Sequence, residues 1–431
     1  MTALWMLLSF FREMFFSAKS LAALERSKLR NKKNILKRLT SYKYYQRQKI
    51  KNWEEIPIID KAKYLKDFEQ FNLPGIGLEE AYQFCEKLEN SGDYLKKKAH
   101  LTIGLSTGTS GKRGVFILNS REVGLWAGAI LAKILGWSFF KKQNIAFVFR
   151  THSSLYDGIN LGWLKLKFFN LNAPIEETAT QLKNFRPSVL MSVPNFYLKY
   201  MNLVPRADIH PHFVLCGADV LETRERIRIK DYFSCDNDCQ FLEIYQATEG
   251  FLGVSCRYGQ IHLNEGLYII EKKEISEGRF LPIISDVKRK TQSIIRYQLD
   301  DILRAGQNPC PCGNPSLALS AIEGRADQIL SFESERGEKR EFFPDFFRQF
   351  MGSQNCFNWN YRVEQRGPCE IQITLDKTLS PTEETELRLK LKEVLVSKKA
   401  DWLKISILAN EEFLPTQMKR QRIVNLWQTK S

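Results

Sequence analysis

The chain has 431 residues, 43% of them hydrophobic, enough to bury the cores of two or three domains. Its formal charge of +15 favours an anionic partner, and charge alone does not choose among a nucleotide, coenzyme A, an acidic carrier protein, nucleic acid and a membrane surface. The densest basic runs, RSKLRNKKNILKR and YLKKKAH, lack the interleaved aromatics of a single-strand binder, so they read as solvated helix faces and nucleic acid is not an expected partner. Nine cysteines without regular framework spacing argue against a disulfide scaffold and fit a reducing, cytoplasmic setting.

The amino terminus, MTALWMLLSFFREMFF, is apolar for too few residues to span a bilayer, and Arg12 interrupts it. It also lacks the basic start and cleavage site of a secretory signal. The pattern predicts an amphipathic helix with Leu4, Leu7, Leu8 and Phe11 packed on the body, with weak membrane docking as the alternative. Basic helices fill residues 20–70, where Pro57 stops one element and Asp60 caps the next.

Residues 104–114, GLSTGTSGKRG, gather glycines, serines and threonines around Lys112, ahead of the helix-compatible EVGLWAGAILAKILGW. Glycine lets backbone N–H groups turn toward an anion, and short hydroxyl side chains add donors, so a phosphate cradle is expected. The Walker pattern fails, because Ser106 stands where its first glycine belongs and Arg113 follows the lysine. No dinucleotide fingerprint opens a helix here either, and a plain surface loop remains the alternative.

From about 100 to 255, short apolar strands such as NIAFVF, VLMSV and HFVLCG alternate with helical stretches, the pattern of a parallel α/β sheet. A second sheet region is expected from LYIIE to IIRYQL. Beyond GRADQIL, the segments EIQITL and WLKISIL read as strands flanking a helix that begins at Ser380-Pro381, with Glu383 completing a capping box and Leu387, Leu391 and Val394 on one face. The fold class is therefore α/β: a large domain over 1–327, helical in 1–75, and a small α+β domain over 328–431. Cys256, His262, Cys310 and Cys312 make a Cys₃His set suited to structural zinc, against the alternative of free buried thiols. Cys235 and Cys239 read as core or surface thiols.

Four further stretches, CGADVL at 216–221, YQATEG at 245–250, IIRYQLDDIL at 294–303 and GRADQIL at 324–330, stand in order with the opening one. Together they resemble the adenylate-forming enzymes, and within them the phenylacetate–coenzyme A ligase branch and its deazaflavin-adenylating relatives. The resemblance covers nearly the whole chain. It implies that Ser106, Thr107, Gly108, Thr109, Ser110, Gly111 and Lys112 form the phosphate loop, and that Gly217, Ala218, Asp219 and Tyr245 line the nucleotide site. It further implies that Thr248 binds near the α-phosphate, Glu249 holds Mg²⁺, Asp301 binds the ribose diol and Arg325 approaches ribose or phosphate. Asp300 beside it reads as structural, Asp327 as the pivot of the small domain, and Lys419 as the lysine of the adenylation step. Branch members carry the same Cys/His pattern. Arg150, His152 and Tyr156, in FRTHSSLYDGIN, stand where relatives line the acyl pocket, or are simply loop residues.

The implied reaction is ATP- and Mg²⁺-dependent activation of a carboxylic acid, aromatic by resemblance, followed by thioester formation with coenzyme A. Transfer to an acyl carrier protein, adenylyl transfer that leaves AMP on the product, and a non-catalytic nucleotide-binding role are the alternatives. A homodimer is compatible with this reading, and a transmembrane segment is not expected. The sequence departs from the family pattern at Arg113, at Gln246 and in YQLDD.

Overall fold

The computed structural model describes residues 2–91, 98, 100–106, 113–150, 162–204, 208–235, 239–306, 309–354, 360–409 and 422–427. The chain forms two compact units. One gathers Met1–Ala218, Ile229–Leu299 and Arg304–Ala321, and the other Asp219–Arg228, Asp300–Leu303 and Ile322–Ser431.

In the first unit, the helix Thr2–Phe16 packs on the helix Ser120–Leu135. The approach is close because Gly124 and Gly128 face it: a Cβ on either would lie 2.8 Å from the Cβ of Trp5 or Ser9. Ser9 Oγ donates to the Leu125 carbonyl at 2.6 Å, and Lys133 pairs with the buried Glu13 at 3.6 Å. The buried face is therefore Met6, Ser9, Phe10 and Glu13. This corrects the expected face. Leu4, Leu8 and Phe11 are 59%, 51% and 38% exposed, and Leu7 is only partly covered. The helix is apolar nearly all round, so hydrophobicity alone does not select a face, whereas the two glycines on the partner helix do.

Asn119 and Glu122 cap the helix Ser120–Leu135 reciprocally. Glu122 Oε1 also accepts from the backbone N–H groups of Lys290 and Thr291, at 2.6 and 2.9 Å. Ser120–Phe140 is long and apolar enough to cross a membrane by length and composition, and 56% of its most apolar window is buried inside the protein, as in a core helix.

Five parallel strands run in the order Leu164–Asn170, Gln143–Phe149, Val189–Ser192, Phe213–Gly217 and Gln240–Ala247. Gly250–Ser255 and Ile261–Leu263 extend them antiparallel. The antiparallel pair Tyr268–Ser276 and Arg279–Asp286 belongs to the same sheet, which corrects the expectation of a separate second one. The hairpin Leu101–Leu105/Val115–Asn119 stands apart from that sheet and is held by the fully buried Gln292. The Gln292 side chain donates to the Val115 carbonyl at 2.9 Å and accepts from Ile117 N at 2.8 Å.

The second unit contains a four-stranded sheet in the order Lys404–Ala409, Glu370–Leu375, Tyr361–Gln365 and Ile423–Asn425. The central pair is antiparallel and the outer pairs are parallel. The helix Pro381–Ser397 carries the expected Ser380/Glu383 capping box. Its Leu387 and Leu391 are buried among Val363, Ile373 and Leu375, with Val394 partly buried beside them. The strand Glu370–Leu375 coincides with the expected EIQITL.

Candidate active site and cysteine–histidine cluster

Two motifs far apart in sequence meet at Gly114. Ser106 N donates to the Gly114 carbonyl at 2.8 Å, and Gly114 N donates to Ser106 Oγ at 2.7 Å, so the hairpin is pinned closed at its mouth. A Cβ on Gly114 would stand 3.5 Å from Thr248 Oγ1 and 3.6 Å from Ser106 Oγ, which puts the YQATEG hydroxyl beside the root of the Gly/Ser/Thr loop. Thr107, Gly108, Thr109, Ser110, Gly111 and Lys112 lie outside the described residues.

Arg113 has a structural use that sequence reasoning missed. Its Nε donates to the Ser106 carbonyl at 2.7 Å, and its two terminal nitrogens reach Glu89 at 3.3 and 2.9 Å. The Tyr82 hydroxyl donates to the Arg113 carbonyl at 2.6 Å. Both partners sit on the helix Leu78–Ser91, so a fork-shaped guanidinium fastens the loop root to that helix. The signal was the basic residue in place of the usual proline after Gly-Lys, but its acidic partner is not local in sequence.

YQATEG bridges the last parallel strand and its antiparallel neighbour. A β-bulge falls between Tyr245 and Gln246, and Thr248 and Glu249 form the turn. Bulges re-aim side chains where pairing ends. Gly250 has φ +152, and a Cβ there would collide with the Tyr268 hydroxyl, so only glycine fits. Tyr245 is buried, while Thr248 and Glu249 are half-buried. On the adjacent strand, Gly217 pairs with Ile244, and a Cβ on it would lie 3.0 Å from the Ile244 carbonyl oxygen. Ala218 follows with φ +62, exposed, in the left-handed region that a non-glycine residue enters only under constraint. Gly217–Ala218 and Thr248–Glu249 thus gather at the carboxyl end of the parallel strands, where open α/β sheets bind ligands. Arg150, half-buried, follows the strand Gln143–Phe149, which Val189–Ser192 separates from Phe213–Gly217. His152 and Tyr156 lie outside the described residues.

Within the second unit, Arg325 Nη2 donates to Asp300 Oδ2 at 3.1 Å, and its Nε lies 3.6 Å from Asp327 Oδ1. Burial disfavours the charge on Arg325, but Asp327, Asp301 and Asp300 together raise its pKa, so the cation is held among three carboxylates. Asp301 opens the strand Asp301–Ala305 half-buried, and Asp219 Oδ1 accepts from Val220 N at 2.9 Å.

The same unit holds a buried ionic cluster that sequence reasoning missed. Arg422 contacts Glu222 and donates to Glu225 at 3.0 Å, while its guanidinium lies 4.7 Å from the Tyr361 ring centre. The Tyr361 hydroxyl donates to Glu222 at 2.8 Å. Burial opposes the Arg422 charge, yet Tyr361, Glu225 and Glu222 outweigh it and raise the pKa. Arg422 is therefore a packing residue of its own unit, whereas Lys419 lies outside the described residues.

Cys256, His262, Cys310 and Cys312 come together, with ligand atoms all within 4.8 Å of one another. Cys256 Sγ is 3.6 Å from Cys310 Sγ, and Cys312 Sγ is 3.3 Å from His262 Nε2. His262 Nδ1 meets the Ser316 carbonyl oxygen at 3.0 Å, so Nδ1–H donates there and Nε2 is left with its lone pair toward the sulfurs. His262 and Cys310 are buried, which suits a closed site. Cys235 and Cys239, expected as core or surface thiols, are instead paired as a disulfide.

No protein-family model and no curated protein matches the chain. Solved structures do. A 2-hydroxyisobutyryl-CoA ligase in the postadenylation state with 2-HIB-AMP aligns over 97% of this chain and 92% of its own, at 14% identity and TM-score 0.68. A benzoate CoA ligase from Burkholderia xenovorans LB400 covers 72% of this chain and 66% of its own, at 14% identity and TM-score 0.52. The anthranilate CoA ligase AuaEII, in complex with anthranoyl-AMP, covers 74% and 65%, at 11% identity and TM-score 0.52. The chain has the adenylate-forming enzyme fold.

Proposed function

We propose that the protein is an ATP-dependent acid–thiol ligase: a carboxylate oxygen attacks the α-phosphorus of ATP, pyrophosphate leaves, and a thiol then attacks the acyl carbon and expels AMP. The observation that carries this reading is the meeting of Ser106, Gly114 and Thr248 at the root of the Gly/Ser/Thr loop, beside Glu249. Hydroxyl donors and a loop of small residues suit a triphosphate, whose developing charge must be met by fixed donors. Glu249 is the residue to hold Mg²⁺, a hard cation that takes carboxylate and phosphate oxygens. Lys112, in the loop, and Lys419, near the carboxyl terminus, supply positive charge. The Asp301 carboxylate suits a vicinal diol.

Coenzyme A is the preferred acceptor, supported by the CoA ligases that share the fold. The acid is aromatic in this reading, with Arg150, His152 and Tyr156 near it. Asp327 is the pivot of a mobile small domain over 328–431. The Cys₃His cluster would hold a structural Zn²⁺, since its four donors, two buried and two half-buried, are thiolates and an imidazole and leave no open coordination position.

A carboxylic-acid library incubated with ATP and Mg²⁺, with and without coenzyme A, and read by pyrophosphate release and thioester formation tests the reading. Pyrophosphate release and thioester from one acid class are expected. Adenylate without thioester would overturn the choice of acceptor, and no release from any acid would overturn the ligase reading.

A further inference from the structure

The helix Thr2–Phe16 is apolar nearly all round, yet only one side is buried. Leu4, Leu8, Phe11 and Phe15 stand on the other, between 38% and 59% exposed. The turn Gly136–Phe140 continues this face. Phe11 meets Phe15 at 6.2 Å, Phe15 meets Trp137 at 5.6 Å, Trp137 meets Phe140 at 6.1 Å, and Phe140 returns to Phe11 at 5.9 Å. Four rings thus close a circuit, and each is more than a third exposed, with Phe140 at 44% and Trp137 at 56%. Contiguous exposed apolar surface of this kind marks a contact with a partner or a membrane.

The surrounding charge selects between them. The only acidic residues of the helices Thr2–Phe16 and Ser120–Leu135 are Glu13 and Glu122, and both are buried. The rim carries Arg12, with 39% of its side chain exposed, and the exposed Lys19, Lys141 and Lys142. A second copy docked across a two-fold axis would set this basic rim against itself. Anionic headgroups would meet the rim, with the aromatic circuit and leucines below them at the headgroup–acyl boundary.

We infer that the face formed by the helix Thr2–Phe16 and the turn Gly136–Phe140 docks on an anionic lipid surface, with Leu4, Leu8, Phe11, Phe15, Trp137 and Phe140 entering it and the four basic residues contacting headgroups. The protein would then work at a bilayer surface without spanning it.

The test is sedimentation of the full chain with phosphatidylcholine vesicles, with and without phosphatidylserine. Binding to the phosphatidylserine vesicles is expected, weakened on the order of tenfold or more by omitting that lipid or raising the salt. Leu8→Gln with Phe15→Gln should cut partitioning by a similar factor. Lys141→Glu with Lys142→Glu should cut binding to the anionic vesicles alone. All four positions are exposed, and circular dichroism should match that of the parent. No binding of the parent protein to anionic vesicles would overturn the inference, as would equal binding by every variant. A concentration-dependent dimer in light scattering, abolished by the Leu8 and Phe15 changes, would assign the face to a second copy instead.

Discussion

Arg113 grips Glu89 through both terminal guanidinium nitrogens, at 2.9 and 3.3 Å, while its Nε holds the Ser106 carbonyl. The pair is partly solvated, with side chains 29% and 33% exposed, so it contributes little to global stability, within about 1 kcal/mol. Its consequence is local, because it fixes the root of the Gly/Ser/Thr loop, the triphosphate site in the proposed reading. Arg113→Ala should raise the KM for ATP about tenfold at nearly unchanged Tm, since misplacing a binding loop by an ångström commonly costs 10- to 100-fold. Arg113→Lys should recover little, because an ammonium does not reproduce the fork. Unaltered KM in both variants would reduce the clamp to an incidental surface contact.

In the proposed reading, Lys112→Ala and Glu249→Gln each remove charge stabilisation around a bound triphosphate. Both should lower acid-dependent pyrophosphate exchange by about 10²- to 10³-fold. Thr248→Val removes one neutral donor at Gly114 and should cost less. Wild-type exchange in the first two variants would sink the nucleotide assignment, whatever the acceptor.

What was legible in the sequence is what local chemistry writes there. Asp60 and the Ser380/Glu383 box cap helices because caps need neighbours only a few residues away. The strands around Val189, Phe213 and Ile371 followed from apolar runs bounded by turns. The Cys₃His set was legible because soft ligands are scarce. The packing face of the first helix was not, because Gly124 and Gly128, far away in the chain, decide it. The single large sheet was missed for a similar reason, as strand order depends on long-range pairing that composition does not record. Arg113–Glu89 and Arg422 with Glu222 and Glu225 escaped because charged residues are common, and only the fold makes partners of them.

For the cysteine–histidine cluster, protein purified without added zinc should carry about one equivalent by elemental analysis. Cys312→Ser removes one thiolate and should lower both metal content and Tm by several degrees, and prolonged chelation should do the same to the parent. Metal-free protein of normal Tm would leave the four residues as packed thiols and a histidine.

Arg422 is 9% exposed and meets two carboxylates and a tyrosine ring. Arg422→Ala removes the guanidinium that meets the half-buried Glu222 and the buried Glu225, which should cost about 3–5 kcal/mol in denaturant unfolding of the full chain. Arg422→Lys keeps the charge but cannot reach both carboxylates, so it should fall between. A loss below about 1 kcal/mol would show that water reaches the cluster freely.

Substitutions at Lys419 and Asp327 should separate the two half-reactions. In the proposed reading, Lys419 stabilises charge while the acid attacks ATP, and a pivot at Asp327 then moves the small domain for thioester formation. Lys419→Ala should slow adenylate formation, yet leave conversion of a supplied acyl-adenylate to thioester nearly intact. Asp327 lies in the short turn Ala326–Gln328 and pairs with Arg325 at 3.6 Å, so substituting it does two things at once. Asp327→Ala removes the carboxylate but leaves the backbone able to rotate, whereas Asp327→Pro also fixes φ. Asp327→Pro should therefore slow thioester formation about tenfold or more while adenylation continues, and Asp327→Ala should retain both steps. If Asp327→Ala and Asp327→Pro behave alike, the ion pair with Arg325 is the relevant feature. If Lys419→Ala and Asp327→Pro damage both half-reactions equally, the pivot loses its support and the basic carboxyl-terminal segment is reduced to a binding surface.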